Sequence, residues 1–219
     1  MKIKTLLLSF LLLSLASSSY AATFELSADQ DDTCGWSVFN DWQGAVLYMG
    51  YNANLPDCYI RWTINVPAES TINTAYVTFT ANGNRSGDME PITIYALDLA
   101  GSPAWQGGGG FNGTNYTNKT ALDGIAVETG TSVSWEPDEA WTSGNEYDTP
   151  SLVSLFQNIV DDPDYSTSNP IGLKFYRSAS GDTRNAETYD HDPSEDAVLT
   201  LEWTPPGAAE MAQVIIIGG

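Results

Sequence analysis

Apolar and polar residues alternate strictly along two stretches of this chain, 58–66 and 71–81. In the first, Ile60, Trp62, Ile64 and Val66 point to one side while Tyr59, Arg61, Thr63 and Asn65 point to the other. In the second, Ala75, Val77, Phe79 and Ala81 alternate with Thr74, Tyr76, Thr78 and Thr80. A period of two is that of a strand buried on one face, and the β-branched and aromatic composition suits a pleated, half-buried surface. The four residues between them, Pro67-Ala68-Glu69-Ser70, read as a turn that joins the two strands. Two strands do not hold together alone in water, so the rest of the chain must cover their apolar face.

The same pattern, in shorter runs, predicts an edge strand over 24–28 and further strands over 46–51, 92–97, 125–135, 171–177, 184–189 and 197–203. Between 100 and 120 the alternation disappears into a Gly- and Asn-rich stretch that reads as a long loop. The period changes once. Leu152, Leu155, Phe156 and Ile159 fall at the spacing of an amphipathic helix over 149–161, with Thr149 as N-cap and Pro150 at the first helical position. Eight or nine strands and one helix without strand–helix alternation imply an all-β fold. The expected form is two packed antiparallel sheets, a jelly-roll-like sandwich capped at one end by the short helix.

The chain begins differently. Lys2 and Lys4 precede an apolar run over 6–15, followed by small residues up to Ser19-Tyr20-Ala21. This is the pattern of a secretory signal peptide cut after Ala21, its apolar core about half the length needed to span a bilayer. The expected organisation is therefore a signal over 1–21, a sandwich domain over 22–204 and a flexible tail over 205–219. That tail opens on Pro205-Pro206-Gly207 and carries Val214-Ile215-Ile216-Ile217, a candidate assembly strand.

Removal of the leader leaves 6 Lys and Arg against 28 Asp and Glu, a formal charge of −22. Such a surface repels phosphates, which argues against nucleic acid and anionic lipid as partners. No membrane span is expected once the signal is removed. The only cysteines, Cys34 and Cys58, lie in an exported chain and are expected to form a disulfide.

Nucleophilic catalysis lacks its parts, with no Gly-x-Ser-x-Gly and a single histidine, His191, in a turn-like Tyr-Asp-His-Asp-Pro context. The chain is accordingly read as no enzyme. Calcium, which takes six to eight oxygen ligands, is the metal the sequence could hold in a structural role. Three acidic runs are candidate ligand sets: Asp29, Asp31 and Asp32; Asp161, Asp162 and Asp164; and Asp190 and Asp192 with Glu195 and Asp196. Ordinary turn chemistry accounts for the same residues. Binding of a sugar would need aromatic platforms. Trp36, Trp42, Trp105 and Trp141 are the candidates in loops, and Tyr48, Tyr95 and Tyr176 lie within predicted strands.

The order Tyr59-Ile60-Arg61-Trp62 followed by Pro67-Ala68-Glu69-Ser70-Thr71-Ile72-Asn73-Thr74-Ala75-Tyr76-Val77 resembles the opening of the DNRLRE-type secreted jelly-roll modules. These are near relatives of carbohydrate-binding modules of the disaggregatase and alginate-binding type. The closing half is similar too: Trp135 and Trp141, Thr149-Pro150-Ser151-Leu152, Arg184-Asn185-Ala186-Glu187-Thr188-Tyr189 and Leu199-Thr200-Leu201-Glu202-Trp203. The hexapeptide that gives the family its name is absent. The resemblance implies an extracellular, non-catalytic module that in some cases binds polysaccharide. Together these readings describe a secreted or cell-surface β-sandwich acting in adhesion or matrix assembly. Its expected partners are itself or other surface proteins through sheet edges, or, alternatively, a polysaccharide held by loop aromatics.

Overall fold

The computed structural model describes residues 18–28, 31–35, 46–49, 57–97, 126–128, 130–167, 170–177 and 181–207. Among them are eleven strands and one helix: β1 (Tyr20–Phe24), β2 (Asp32–Gly35), β3 (Leu47–Met49), β4 (Asp57–Thr63), β5 (Thr71–Thr80), β6 (Ile92–Ala96), β7 (Val133–Trp135), β8 (Glu146–Asp148), α1 (Val153–Asp161), β9 (Pro170–Arg177), β10 (Arg184–Ala186) and β11 (Val198–Thr204). All the pairings are antiparallel, in a four-stranded sheet β1-β11-β5-β8, a five-stranded sheet β2-β4-β9-β6-β7 and a small β10-β3 ladder. The two large sheets face each other as a sandwich, so the all-β expectation holds.

Alternation tells each strand which side to bury but not which neighbour to take. The two organising stretches are not a hairpin: β4 sits between β2 and β9, while β5 sits between β11 and β8 in the other sheet. The turn between them carries the chain across the sandwich, with Glu69 at φ 61° and its N–H on the Val160 carbonyl at 2.8 Å. Their apolar faces meet in one core. Cys58, Ile60 and Trp62 of β4 and Leu173 and Phe175 of β9 lie buried, as do Val77 and Phe79 of β5 and Leu199 and Leu201 of β11. Phe79 bridges the layers, stacked on Trp135 at 5.8 Å and edge-on to Phe175 at 5.5 Å. Trp62 donates its indole N–H to the Ala197 carbonyl at 3.1 Å, so its one polar atom is satisfied inside the core.

Several boundaries differ from the sequence reading. The edge strand expected over 24–28 runs instead over Tyr20–Phe24, and β2 and β8 form where no strand is expected. The helix starts at Val153, with Leu152 in the N-cap position and no side-chain cap. Thr149 does not cap it, because its hydroxyl accepts the Val77 N–H at 3.0 Å and its own N–H donates to the Val77 carbonyl at 2.9 Å. These bonds extend the β5–β8 ladder, and the proline after Thr149 lies between ladder and helix. The helix buries Leu155, Phe156, Ile159 and Val160, and Gln157 ties it to β5 by accepting the Ile72 N–H and donating to the Ser70 carbonyl, both at 2.9 Å.

Cys34 and Cys58 face each other across β2 and β4 and form the expected disulfide, closing 24 residues of sequence separation. Loop-closure entropy assigns such a bond about 3 kcal/mol. Replacing both cysteines by alanine is expected to lower the melting temperature by about 10 °C, as read by calorimetry. No change would mean that the remaining core already restrains β2.

Candidate functional site

On β9 the inward residues Ile171, Leu173 and Phe175 alternate with Gly172, Lys174 and Tyr176 on the outer face of the five-stranded sheet. The register sets Lys174 directly opposite Tyr59 of β4 on one side and Tyr95 of β6 on the other. Tyr176, two residues further along, lies opposite Thr93. The topology thus lays a row of tyrosines and one lysine across three adjacent strands.

The row is graded in depth. Tyr59 is fully buried and Tyr176 is 36% exposed, with Tyr95 half-buried between these extremes. The Tyr95 and Tyr176 rings stand 6.4 Å apart, tilted by 57°. With Val127, which reaches the sheet through a bridge to Leu97, and with Lys174, they line a shallow cleft of about 250 Å³. The lysine is fixed rather than mobile. Its Nζ lies 2.9 Å from the buried Asp57 carboxylate and 5.5 Å from the centroids of both Tyr59 and Tyr176. An ammonium held by a carboxylate and two ring faces presents a defined donor at the floor of the cleft. The arrangement offers apolar ring faces beside one oriented polar group, the mix by which small-molecule and sugar sites fix orientation.

The electrostatics around this cleft are one-sided. Of the five described cationic side chains, Arg61, Arg177 and Arg184 are buried, Arg85 is half-buried and Lys174 is paired with Asp57. Among the described residues the exposed charge is therefore almost all acidic.

Two of the three acidic runs come together elsewhere. Asp31 and Asp32 precede or open β2, and Asp190 and Asp196 lie between β10 and β11. Asp31 is spent on Arg61, whose Nε lies 2.6 Å away, and on the N–H and hydroxyl of Ser27. Asp32 accepts the Tyr189 N–H at 3.2 Å. Burial, reinforced by Asp190, Asp196 and Asp31, pushes the Asp32 carboxyl up to about 7. Burial, then Glu25 and Asp31, likewise carries Asp196 up to about 7. Asp192 instead accepts the N–H and hydroxyl of Ser194, which lower its pKa. At the helix end Asp161 accepts the Gln157 amide and Asp162 accepts the Asp164 N–H. These are turn and cap bonds. Among the described residues no group of three or more acidic, histidine or cysteine side chains is arranged to hold a metal ion. Asp29 lies outside the described residues.

One expected platform is not one. Trp141 is 1% exposed, stacked on Tyr147 at 4.7 Å and packed against Trp135 at 6.2 Å. Its backbone bridges to Arg85 and draws the ring inward to close the end of the core. Trp36, Trp42, Trp105 and the tail residues Val214, Ile215, Ile216 and Ile217 lie outside the described residues. Tyr48 is half-buried in β3. His191 is about half exposed, with Nδ1 2.6 Å from the Glu187 carboxylate. Lys174, Asp57 and Val127 were not singled out by sequence reasoning. The alternation Lys174-Phe175-Tyr176 placed two of the cleft's residues on one face, but no pattern in the chain announces that β6 lies beside β9.

No family model matches the chain, and no curated protein matches it. Among the described residues no helix is long and apolar enough to cross a membrane.

Proposed function

We propose that this protein is an extracellular, non-catalytic binding module that holds a polysaccharide across the outer face of its five-stranded sheet, and so acts in adhesion at a cell surface or in a matrix. The observation that carries this reading is the cleft in which Tyr95 and Tyr176 flank an immobilised Lys174. Ring faces receive the C–H faces of a sugar, and the ammonium donates to a hydroxyl. The disulfide, at home in an oxidising compartment, the leader-like first 21 residues and the resemblance to the DNRLRE-type modules support the extracellular part.

The acidic surface narrows the ligand to a neutral chain. An anionic polysaccharide meets a net charge of −22 once the leader is removed, with no unpaired described cation at the cleft to receive it, and is repelled over roughly a Debye length. Affinity electrophoresis through gels containing neutral or anionic polysaccharides tests this. Retardation is expected in a neutral gel. Tyr176→Ala and Tyr95→Ala, which remove half-exposed rings outside the core, are expected to weaken it about 10- to 30-fold, the scale of an interface anchor. Retardation only by anionic gels, or equal retardation of the variants, would contradict the reading.

A further inference from the structure

The edge strand of the four-stranded sheet runs through the bond at which the leader is expected to be cut. β1 begins at Tyr20, whereas cleavage after Ala21 leaves Ala22 as the first residue. Tyr20 and Ala21 pair with Trp203 and Glu202 of β11. The Tyr20 ring also stacks on Trp203, with centroids 6.0 Å apart and planes within 20°. Tyr20 is 53% exposed and Trp203 only 6%, so the tyrosine is the cover and the tryptophan what it covers. After cleavage Ala22, Thr23 and Phe24 remain on Leu201, Thr200 and Leu199, but Glu202 and Trp203 lose their neighbour on that side. β5 still holds the other side of β11. An open backbone edge beside a bared indole is a template for strand addition.

We propose that leader removal opens this strip and that it receives the segment Val214-Ile215-Ile216-Ile217 of a second copy of this chain. The inference rests on the export reading above. The stretch 211–219, outside the described residues, carries no charge in an otherwise strongly acidic chain and contains its most β-prone tetrapeptide. It follows β11 by the nine residues 205–213, a tether of about 30 Å when extended. The chain's own strip is the poorer target. A tight return through the turn at Pro206 and Gly207, where Gly207 adopts φ 75°, would set residues 208–210 against 202–204. Donor and acceptor are different surfaces, so additions close as a reciprocal exchange between two copies or run on as an open chain, and the sedimenting mass tells the two apart. Copies of charge −22 repel one another, so association strengthens as salt screens them.

Mass spectrometry of the exported protein gives its first residue. Ala22 is expected, and a mature chain that keeps Tyr20 overturns the opening of the strip while leaving the binding reading intact. Sedimentation at low and high salt then compares three chains, 22–219, 22–207 and 20–219. Only the first is expected to at least double its mass at high salt, and equal sedimentation of all three overturns the docking. Mixing Glu202→Cys protein with Ile215→Cys protein is expected to give a disulfide-linked pair on a non-reducing gel. A chain carrying both substitutions that links only to itself also overturns the proposal.

Discussion

Raising the pH from 5 to 8 is expected to lower the melting temperature, and Asp32→Asn to remove most of that fall. Asp32 is 3% exposed and its nearest charged company is Asp190, Asp196 and Asp31. The Arg61 guanidinium has its Nε bound to the neighbouring Asp31. Burial therefore dominates and the folded carboxyl titrates near 7 rather than near its ordinary 3.8. A raised acid pKa means that the folded state binds the extra proton. Its contribution is fully present below the unfolded value near 4 and is lost as pH rises through about 7. A shift of about three units corresponds to roughly 4 kcal/mol for this one group, less as Asp196 shares the same charge. Asparagine keeps an acceptor for the Tyr189 N–H without ionising. Scanning calorimetry should show the two proteins closest near pH 4 and the variant's advantage growing from pH 5 to pH 8, by roughly 3 kcal/mol for the two pH units left to lose. A wild-type stability that is flat or rises across this window would show that the carboxylates are compensated.

The largest loss from a single polar substitution is expected at Arg184. Its guanidinium is fully buried and serves backbone carbonyls: Nε donates to Glu139 at 3.2 Å, Nη1 to Thr183 at 3.1 Å, and Nη2 to Gly87 at 3.1 Å and Asp138 at 3.4 Å. One side chain thus gathers the segment before β6, the segment after β7 and β10 itself. Burial lowers the Arg184 pKa, with Asp182 and Glu139 opposing that shift. Arg184→Ala leaves these carbonyls without a donor beside a cavity, at a cost of about 4 kcal/mol. Arg184→Lys, with one ammonium in place of a planar fork, is expected to recover only part of it. Urea denaturation measures both, and a loss under about 1 kcal/mol for Arg184→Ala would mean that water replaces the guanidinium.

The class of fold was legible because alternation is a local property: Ile60, Trp62, Val77 and Phe79 declare their buried side without knowledge of their neighbours. Partnership is not local. β4 and β5 read as a hairpin because four turn residues separate them, yet β4 takes β9 and β5 takes β8 and β11, all more than 60 residues away. Tyr59 and Arg61 read as a wet face and are buried, because Lys174 lies over the one and Asp31 over the other. Thr149 and Pro150 carried a helix-start signal that the β5–β8 ladder outcompeted. Trp141 sits in a segment without strand periodicity, which says nothing of whether a ring turns in or out. The site was legible only in parts. Tyr95 and Tyr176 stood out as strand aromatics, but the cleft exists because β6 and β9 are adjacent. In the same way Asp32, at the start of β2, meets Asp196 only because the segment between β10 and β11 comes to lie beside it.

The tyrosine face of the five-stranded sheet is where we propose that ligand sits. Hydroxyl-radical footprinting of the mature protein, with and without the neutral polysaccharide that retards it most, reads this directly. Protection is expected at Tyr95 and Tyr176 and at no other half-exposed tyrosine, with Tyr147 as the internal control. Retardation accompanied by unchanged oxidation of Tyr95 and Tyr176, or protection confined to other residues, would contradict it.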